Sequence, residues 1–382
     1  MSPRIFMLAG EASGDALGAA LLDGLSELAP TAVVEGVAGT QMQARGVESL
    51  FPMSDLSVMG LAEILPKYRH LHRRLHQTVA AVLEMRPDVL LTIDSPDFCL
   101  RVARLVRAAD PSIRTVHYVA PSVWAWRPGR AVKMARMIDQ VLALLPFEPP
   151  LMEAAGMRCD FVGHPVVAAQ QATEAEAQAL RVELGVGEAP LLLALPGSRR
   201  SEVTRLAPVF GAALGRVAQA RRGARAVLPA APGLASMVRD AVADWPLPVD
   251  VVAPENAARK RAAFRAADVA LAASGTVSLE LAAAGTPMVI GYRMNWLTMQ
   301  IMRRMALVDT VTLVNLVSDT RVVPEFLGDA CTADALAGGL EAVLDDPAPQ
   351  RAACAVTMDR LGRGRESPGL RAARAVLDGL GR

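Results

Sequence analysis

Leu191-Leu-Leu-Ala-Leu-Pro-Gly197-Ser198-Arg199-Arg-Ser-Glu and Val269-Ala-Leu-Ala-Ala-Ser274-Gly275-Thr276-Val-Ser-Leu-Glu280 follow one local plan. Each is an unbroken apolar run, read as a buried strand, that ends in small residues and then opens a helix. At such a helix start the first backbone N–H groups have no intrahelical partner, and the positive end of the helix dipole lies beside them. That is a ready anion site. Arg199 adds a guanidinium whose planar fork matches phosphate oxygens. Two such turns in one half of the chain point to a nucleotide diphosphate. No Gly-x-Gly-x-x-Gly series competes with them, so a nicotinamide cofactor has no support.

Working outward, short apolar runs alternate with Ala/Leu/Arg-rich helical stretches from end to end. Strands are expected at 4–9, 32–37, 89–93, 115–119, 141–145 and 161–162, then at 191–195, 226–228, 249–252, 269–272, 288–290 and 312–314. This βαβ rhythm specifies an α/β protein with parallel sheets covered on both faces. The rhythm pauses at 165–190, where Thr173-Glu-Ala-Glu176 reads as a capping box ahead of a polar helix that ends near Gly185. Ser367-Pro368 reads as the start of the last helix. The expected organisation is a Rossmann-like domain at 1–165, a connection at 166–190, a second Rossmann-like domain at 191–350 and a helical tail at 351–382. The tail would pack back on the first domain or on a partner chain. Two such halves facing across a cleft bring the C-terminal strand ends of both sheets to one ligand.

Length and composition agree. At 382 residues the chain exceeds one simple core. Its 40 basic and 39 acidic residues nearly cancel, which excludes bulk electrostatic capture of nucleic acid. The cysteines, Cys99, Cys159, Cys331 and Cys354, lie far apart and read as small buried hydrophobes in a reducing compartment. The first ten residues form a strand, not a signal peptide, and no run approaches the eighteen or so apolar residues of a membrane span. A cytoplasmic protein is expected, with contact to a membrane surface left open.

Candidate chemistry in the first half sits after its strands. Asp94 follows the apolar run 89–93, where parallel sheets form their sites, and Asp97 lies three residues on. Either is placed to accept a proton or to cap the following helix, and spacing alone does not choose. Glu11 also follows a strand, in a loop with Gly10, Ser13 and Gly14, and is the alternative base. Gly10 and Gly14 read as room for a substrate, Gly18 equally as close helix packing. His117 and His164 read as structural, and Trp124 and Trp126 as packing residues ahead of a sugar platform. In the second half, Ser198, Ser274, Gly275 and Thr276 would offer donors to phosphate. Glu280, one turn past Thr276 on the same helix face, is placed for ribose hydroxyls. Asn315, ending the expected strand 312–314, is otherwise a turn residue.

An ordered series of strings then carries a family resemblance. It runs through Leu8-Ala-Gly-Glu11-Ala-Ser13-Gly14-Asp15, Gly36-Val-Ala-Gly39, Asp55 with Ser57-Val-Met-Gly60, and Ile93-Asp94-Ser-Pro-Asp97-Phe98. It continues through His117-Tyr118-Val-Ala-Pro121-Ser122-Val-Trp124-Ala-Trp126-Arg127, Leu145-Pro-Phe-Glu148 and Gly163-His164. Leu195-Pro-Gly-Ser-Arg199, Ala273-Ser-Gly-Thr276, Gly291-Tyr-Arg293 and Asn315-Leu316 complete it. Together they resemble the lipid A disaccharide synthases, glycosyltransferases of the GT-B fold. At Cys99 the family commonly has Asn, and at Val314 often Pro.

The resemblance implies that UDP-2,3-diacylglucosamine is joined to 2,3-diacylglucosamine 1-phosphate. The products would be the β-1,6-linked disaccharide 1-phosphate and UDP, with inversion and without a cofactor or bound metal. It implies Asp94 as base with Asp97 structural, Arg199 at the leaving diphosphate, Glu280 at the ribose, and Asn315 at phosphate or sugar. Other readings on the same fold are a UDP-N-acetylglucosamine transferase or 2-epimerase, and a non-catalytic nucleotide-sugar or lipid binder.

Diacylated substrates require a route to a membrane. In 61–83, Ile64, Leu65, Tyr68, Leu71, Leu75 and Val79 recur on one helical face. Lys67, Arg69, His70, Arg73, Arg74 and His76 crowd the remainder. This basic amphipathic segment fits the anionic inner-membrane surface, or equally an ordinary surface helix packed on its sheet, and its stripe suits an acyl groove. The Met-rich stretch 296–307 is a second lipid or partner surface, and a homodimer is compatible with the sequence.

Overall fold

The structure, a computed structural model, describes residues 2–56, 61–293 and 307–381, and for 61–67 the backbone alone. The Ser57–Gly60 motif and most of the 296–307 stretch lie outside the described residues. The chain divides into two compact units, 1–168 with 364–382, and 169–363.

The first unit runs β1 (Arg4–Ala9), α1 (Ala12–Leu28), β2 (Val33–Val37), α2 (Thr40–Gln43), α3 (Leu61–Met85), β3 (Val89–Ile93), α4 (Pro96–Ala109) and β4 (Arg114–Tyr118). It continues through α5 (Gly129–Met134), β5 (Gln140–Ala143), α6 (Pro149–Glu153) and β6 (Arg158–Phe161). Its strands form one parallel sheet in the order β2-β1-β3-β4-β5-β6. β3 is buried along its whole length, as expected of a strand covered on both faces. The order reverses between β1 and β3, so their following loops diverge at one point of the C-terminal edge.

In the second unit come α7 (Glu174–Glu183), β7 (Leu191–Leu195), α8 (Arg200–Ala220), β8 (Arg225–Pro229), α9 (Ala235–Val242), β9 (Val249–Val252), α10 (Ala257–Ala266) and β10 (Val269–Ala272). Then follow α11 (Val277–Ala284), β11 (Met288–Tyr292), α12 (Leu313–Ser318), β12 (Glu325–Leu327), α13 (Ala333–Asp345) and α14 (Ala348–Arg360). The sheet order is β12-β11-β10-β7-β8-β9, again all parallel. β7 and β10 are direct neighbours, so the two turns that opened the sequence reading stand side by side at one switch point.

The final helix, α15 (Pro368–Gly379), returns to the first unit, so the region 351–382 is divided between the two units. Ser367 caps it by accepting from the Leu370 N–H. Gly24 of α1 and Gly369 permit the close crossing: a Cβ on Gly369 would meet the Ala20 carbonyl at 2.2 Å. The Thr173–Glu176 capping box is formed, and α7, inside the stretch read as a connection, belongs to the second unit.

The expected strand 312–314 is instead the entry to helix α12. Its β-branched residues favour a strand locally, but the buried Asn315 ties this turn to Val323 and overrides the preference. The edge strand β12, three residues long and half-buried, left no pattern to read.

Candidate active site

In the first unit the loops after β1 and β3 meet. Ser13 donates its hydroxyl to Asp94 Oδ2 at 2.8 Å, although the two are separated by 81 positions. Asp94 and Ser95 both lie in the left-handed region, with φ of +54° and +43°, and the Asp94 N–H is held by the Tyr118 carbonyl at 2.9 Å. Two consecutive non-glycine residues in that region mark a strained, over-determined turn, as sites often carry. Asp94 makes no cap on α4; the N-cap position is Ser95, and Asp97 is exposed in the first helical turn.

Gly10 and Gly14 lie against the neighbouring loop. A Cβ on Gly10 would come within 2.6 Å of Ser95 Oγ, and one on Gly14 within 3.0 Å of the Ile93 carbonyl. Their lack of a side chain makes room for the neighbouring loop. Asp15, from the same motif, is buried and accepts from the N–H groups of Gly39, Gln41 and Met42, which fixes α2.

Glu11 faces a cavity of about 260 Å³ within this unit. Its other walls include Ser95 and Asp97 from the loop and start of α4, and Leu71, His72 and Leu75 from α3. The apolar stripe of α3 therefore lines a cavity beside the candidate bases. The basic residues of α3 separate into two groups. Arg74 and His70 are bound to Asp55, at 2.6 and 2.9 Å, and Arg74 also lies over the Phe51 ring. Those two are tied down within the unit, whereas spacing alone had grouped them with the other basic residues of α3. Arg69, Arg73 and His76 are exposed.

His117 is buried with its Nδ1 2.8 Å from Thr92 Oγ1, and His164 Nδ1 accepts from the Val166 N–H. Burial pushes both imidazoles down to about 4, so they are neutral packing groups.

In the second unit Arg199 is the N-cap residue of α8, its side chain 62 % exposed. Sequence reasoning missed its partner, Glu202. One Glu202 oxygen accepts from the N–H groups of Ser198 and Arg199 at 3.0 and 3.3 Å, and the other from Arg199 Nη1 at 3.1 Å. The carboxylate thus sits on the donors expected to meet phosphate and caps the start of α8 from within the helix. A Glu three residues into a helix was the available signal. Gly197, at φ +117°, could not carry a Cβ, which would lie 2.5 Å from Glu202.

On the adjacent turn Gly275 and Thr276 are exposed and Ser274 half-buried. Glu280 is exposed too, but pairs with Lys260 Nζ at 2.7 Å. Asn315 is not at a surface: it is 1 % exposed, its amide nitrogen donating to Thr310 Oγ1 and the Val323 carbonyl and its oxygen accepting from the Val323 N–H. Its hydrogen bonds are spent inside its own unit.

This geometry can be set beside known proteins. The lipid-A-disaccharide synthetase family model matches residues 5–365. The chain belongs to that family. It is 65 % identical to the lipid-A-disaccharide synthase of Ruegeria pomeroyi over 99 % of this chain and 95 % of that protein. It is 47 % identical to the synthase of Rhodospirillum centenum over 98 % and 94 %. Among solved structures it is similar to a UDP-GlcNAc 2-epimerase of Neisseria meningitidis bound to UDP-GlcNAc, with a TM-score of 0.60 at 11 % identity over 99 % of each chain. The MurG protein of Acinetobacter baumannii aligns with a TM-score of 0.57 at 14 % identity, also over 99 % of each chain. These likenesses show the GT-B fold. The protein is a glycosyltransferase of lipid A biosynthesis, and among the described residues no helix is long and apolar enough to cross a membrane.

Proposed function

We propose that the enzyme transfers 2,3-diacylglucosamine from UDP to the 6-hydroxyl of 2,3-diacylglucosamine 1-phosphate. Asp94 accepts the hydroxyl proton as O6 attacks the anomeric carbon. The bond from that carbon to the diphosphate breaks, and UDP departs with inversion to the β-1,6 product. Once the Glu202 carboxylate gives up the Ser198 and Arg199 N–H groups, Arg199 and the starts of α8 and α11 take the diphosphate charge, while Glu280, released from Lys260, serves the ribose. The observation that carries this reading is the pairing of β7 with β10, which puts two strand-to-helix turns side by side at one sheet edge, where helix starts favour anions. The Ser13 hydrogen bond to Asp94 supports the base assignment, since it orients the carboxylate where active sites of parallel sheets form.

The enzyme would work at the cytoplasmic face of the inner membrane. Exposed Tyr68, Arg69 and Arg73 on α3 support contact with anionic lipid, with the acyl chains beside Leu71 and Leu75. The test is to supply both lipid substrates and look for UDP and a β-linked disaccharide 1-phosphate by mass spectrometry and NMR. Release of UDP without disaccharide, or a sugar epimer in its place, would refute the transfer.

A further inference from the structure

We propose that Arg101 recognises the phosphate of the acceptor, which makes it a specificity-determining residue for the transfer. The inference rests on the reaction proposed above and adds to it the direction in which the acceptor lies.

The cavity beside Glu11 has polar and apolar walls. Glu11, Ser95 and Asp97 line it, all suited to sugar hydroxyls and amides. The Ser95 hydroxyl is buried without a hydrogen-bond partner among the described residues, a group that a polar ligand would satisfy. Leu56, Leu71, Leu75 and Phe98 supply apolar wall. Arg101 follows Asp97 by four residues on α4 and so projects from the same helix face, about 6 Å further along the axis.

Charge then fixes the polarity. A phosphate beside Glu11 or Asp97 would meet like charge, whereas at the Arg101 end it meets a planar fork matched to its oxygens. His72, from α3, also lines the cavity. Two neighbouring arginines of α3 and α4 are engaged elsewhere: Arg74 binds Asp55, and Arg107 binds Asp139. Arg101 is exposed, and among the described residues it forms no ion pair or side-chain hydrogen bond. An amino-sugar 1-phosphate placed with its 6-hydroxyl toward Asp94 directs its phosphate away from that loop, toward Arg101.

The experiment compares diacylglucosamine acceptors with and without the 1-phosphate, in micelles of a neutral detergent, and reads the ratio of the two kcat/KM values. The wild-type enzyme should prefer the phosphorylated acceptor. In Arg101→Gln that preference should fall by about tenfold, the factor equivalent to 1.4 kcal/mol, with the Kd for UDP unchanged. Arg101→Glu should lower it further. A preference kept at the wild-type value in both variants would overturn the inference alone. Absence of turnover with either acceptor in the wild-type enzyme would remove the transfer reading as well.

Discussion

Ser13 holds one oxygen of Asp94 through a 2.8 Å hydrogen bond that joins the loop after β1 to the loop after β3. The bond spans the switch point of the first sheet, and Gly10 and Gly14 permit it by letting the two loops close on each other. A carboxylate fixed through one oxygen presents the other in a defined direction, which suits a base that must meet a hydroxyl at hydrogen-bond range.

Asp94→Asn should therefore lower kcat by about 10²–10⁴, the usual contribution of a general base, while UDP affinity is kept. Ser13→Ala should lower kcat by a smaller factor of about 10, since the carboxylate remains but is no longer oriented. The measurement is steady-state transfer beside UDP titration. Equal loss of UDP binding in Asp94→Asn would point to a collapsed fold, not to a missing base.

Arg199 and Glu202 should separate in their effects. Arg199→Ala removes the cation meant for the departing diphosphate, with an expected loss of about 10²–10³ in kcat. Glu202→Ala removes the carboxylate that caps the α8 start, and should cost about 1 kcal/mol of stability by thermal or denaturant unfolding. Normal turnover in Arg199→Ala would exclude it from the leaving-group role.

Glu148 gives a pH-dependent prediction. It is 3 % exposed, accepts from the Leu145 N–H and from Trp124 Nε1, and burial pushes its carboxyl up to about 7 despite those hydrogen bonds. Between its ordinary value and about 7 the native state holds a proton that the unfolded chain has released. The stability from this group is thus full at low pH and is lost as pH rises through about 7, by an amount on the order of 3 kcal/mol. His117 and His164, held down to about 4, act oppositely and lose stability as pH falls below the ordinary imidazole range. Comparing wild type with Glu148→Gln cancels the histidines. The stability of the variant relative to wild type should rise between pH 5 and pH 8, and a constant difference would show that Glu148 does not titrate there.

Asn315 should prove a structural residue. Its buried amide joins α12 to the chain at Val323, and Asn315→Ala would leave the Val323 N–H and carbonyl unpaired. A stability loss of about 2–3 kcal/mol is expected. Wild-type unfolding with abolished transfer would instead assign it a place at the substrate.

How much of this was readable in the chain depended on whether the signal was local. β3, β7 and β10 are buried throughout, so their apolar runs stood out. The box at Thr173 and the cap at Ser367 are contained within a few residues and were equally plain. Strand order is not local, and with it went the contact of Ser13 with Asp94 and the adjacency of the two anion turns. The same holds for the tie between Arg74 and Asp55: spacing put Arg74 on a basic face, and only the fold brought a carboxylate to it. At 312–314, local β preference pointed the wrong way because the distant Val323 decides the helix.

That division of α3 can be tested directly. Arg69 and Arg73 are exposed, Arg73 with one guanidinium nitrogen 3.0 Å from His70 Nδ1, and both can face anionic headgroups, where each basic residue contributes about 1 kcal/mol. Arg69→Ser with Arg73→Ser should weaken sedimentation with vesicles rich in anionic lipid by tenfold or more, roughly, and leave the unfolding midpoint in place. Arg74→Ser should do the reverse. It strands Asp55, whose carboxyl Arg74 holds below the usual range, and removes the contact over Phe51. Its cost should appear as a lowered unfolding midpoint with vesicle binding nearly intact. If the two sets of variants behave alike, α3 does not split into a membrane face and a structural face, and the lipid contact must be sought elsewhere on the chain.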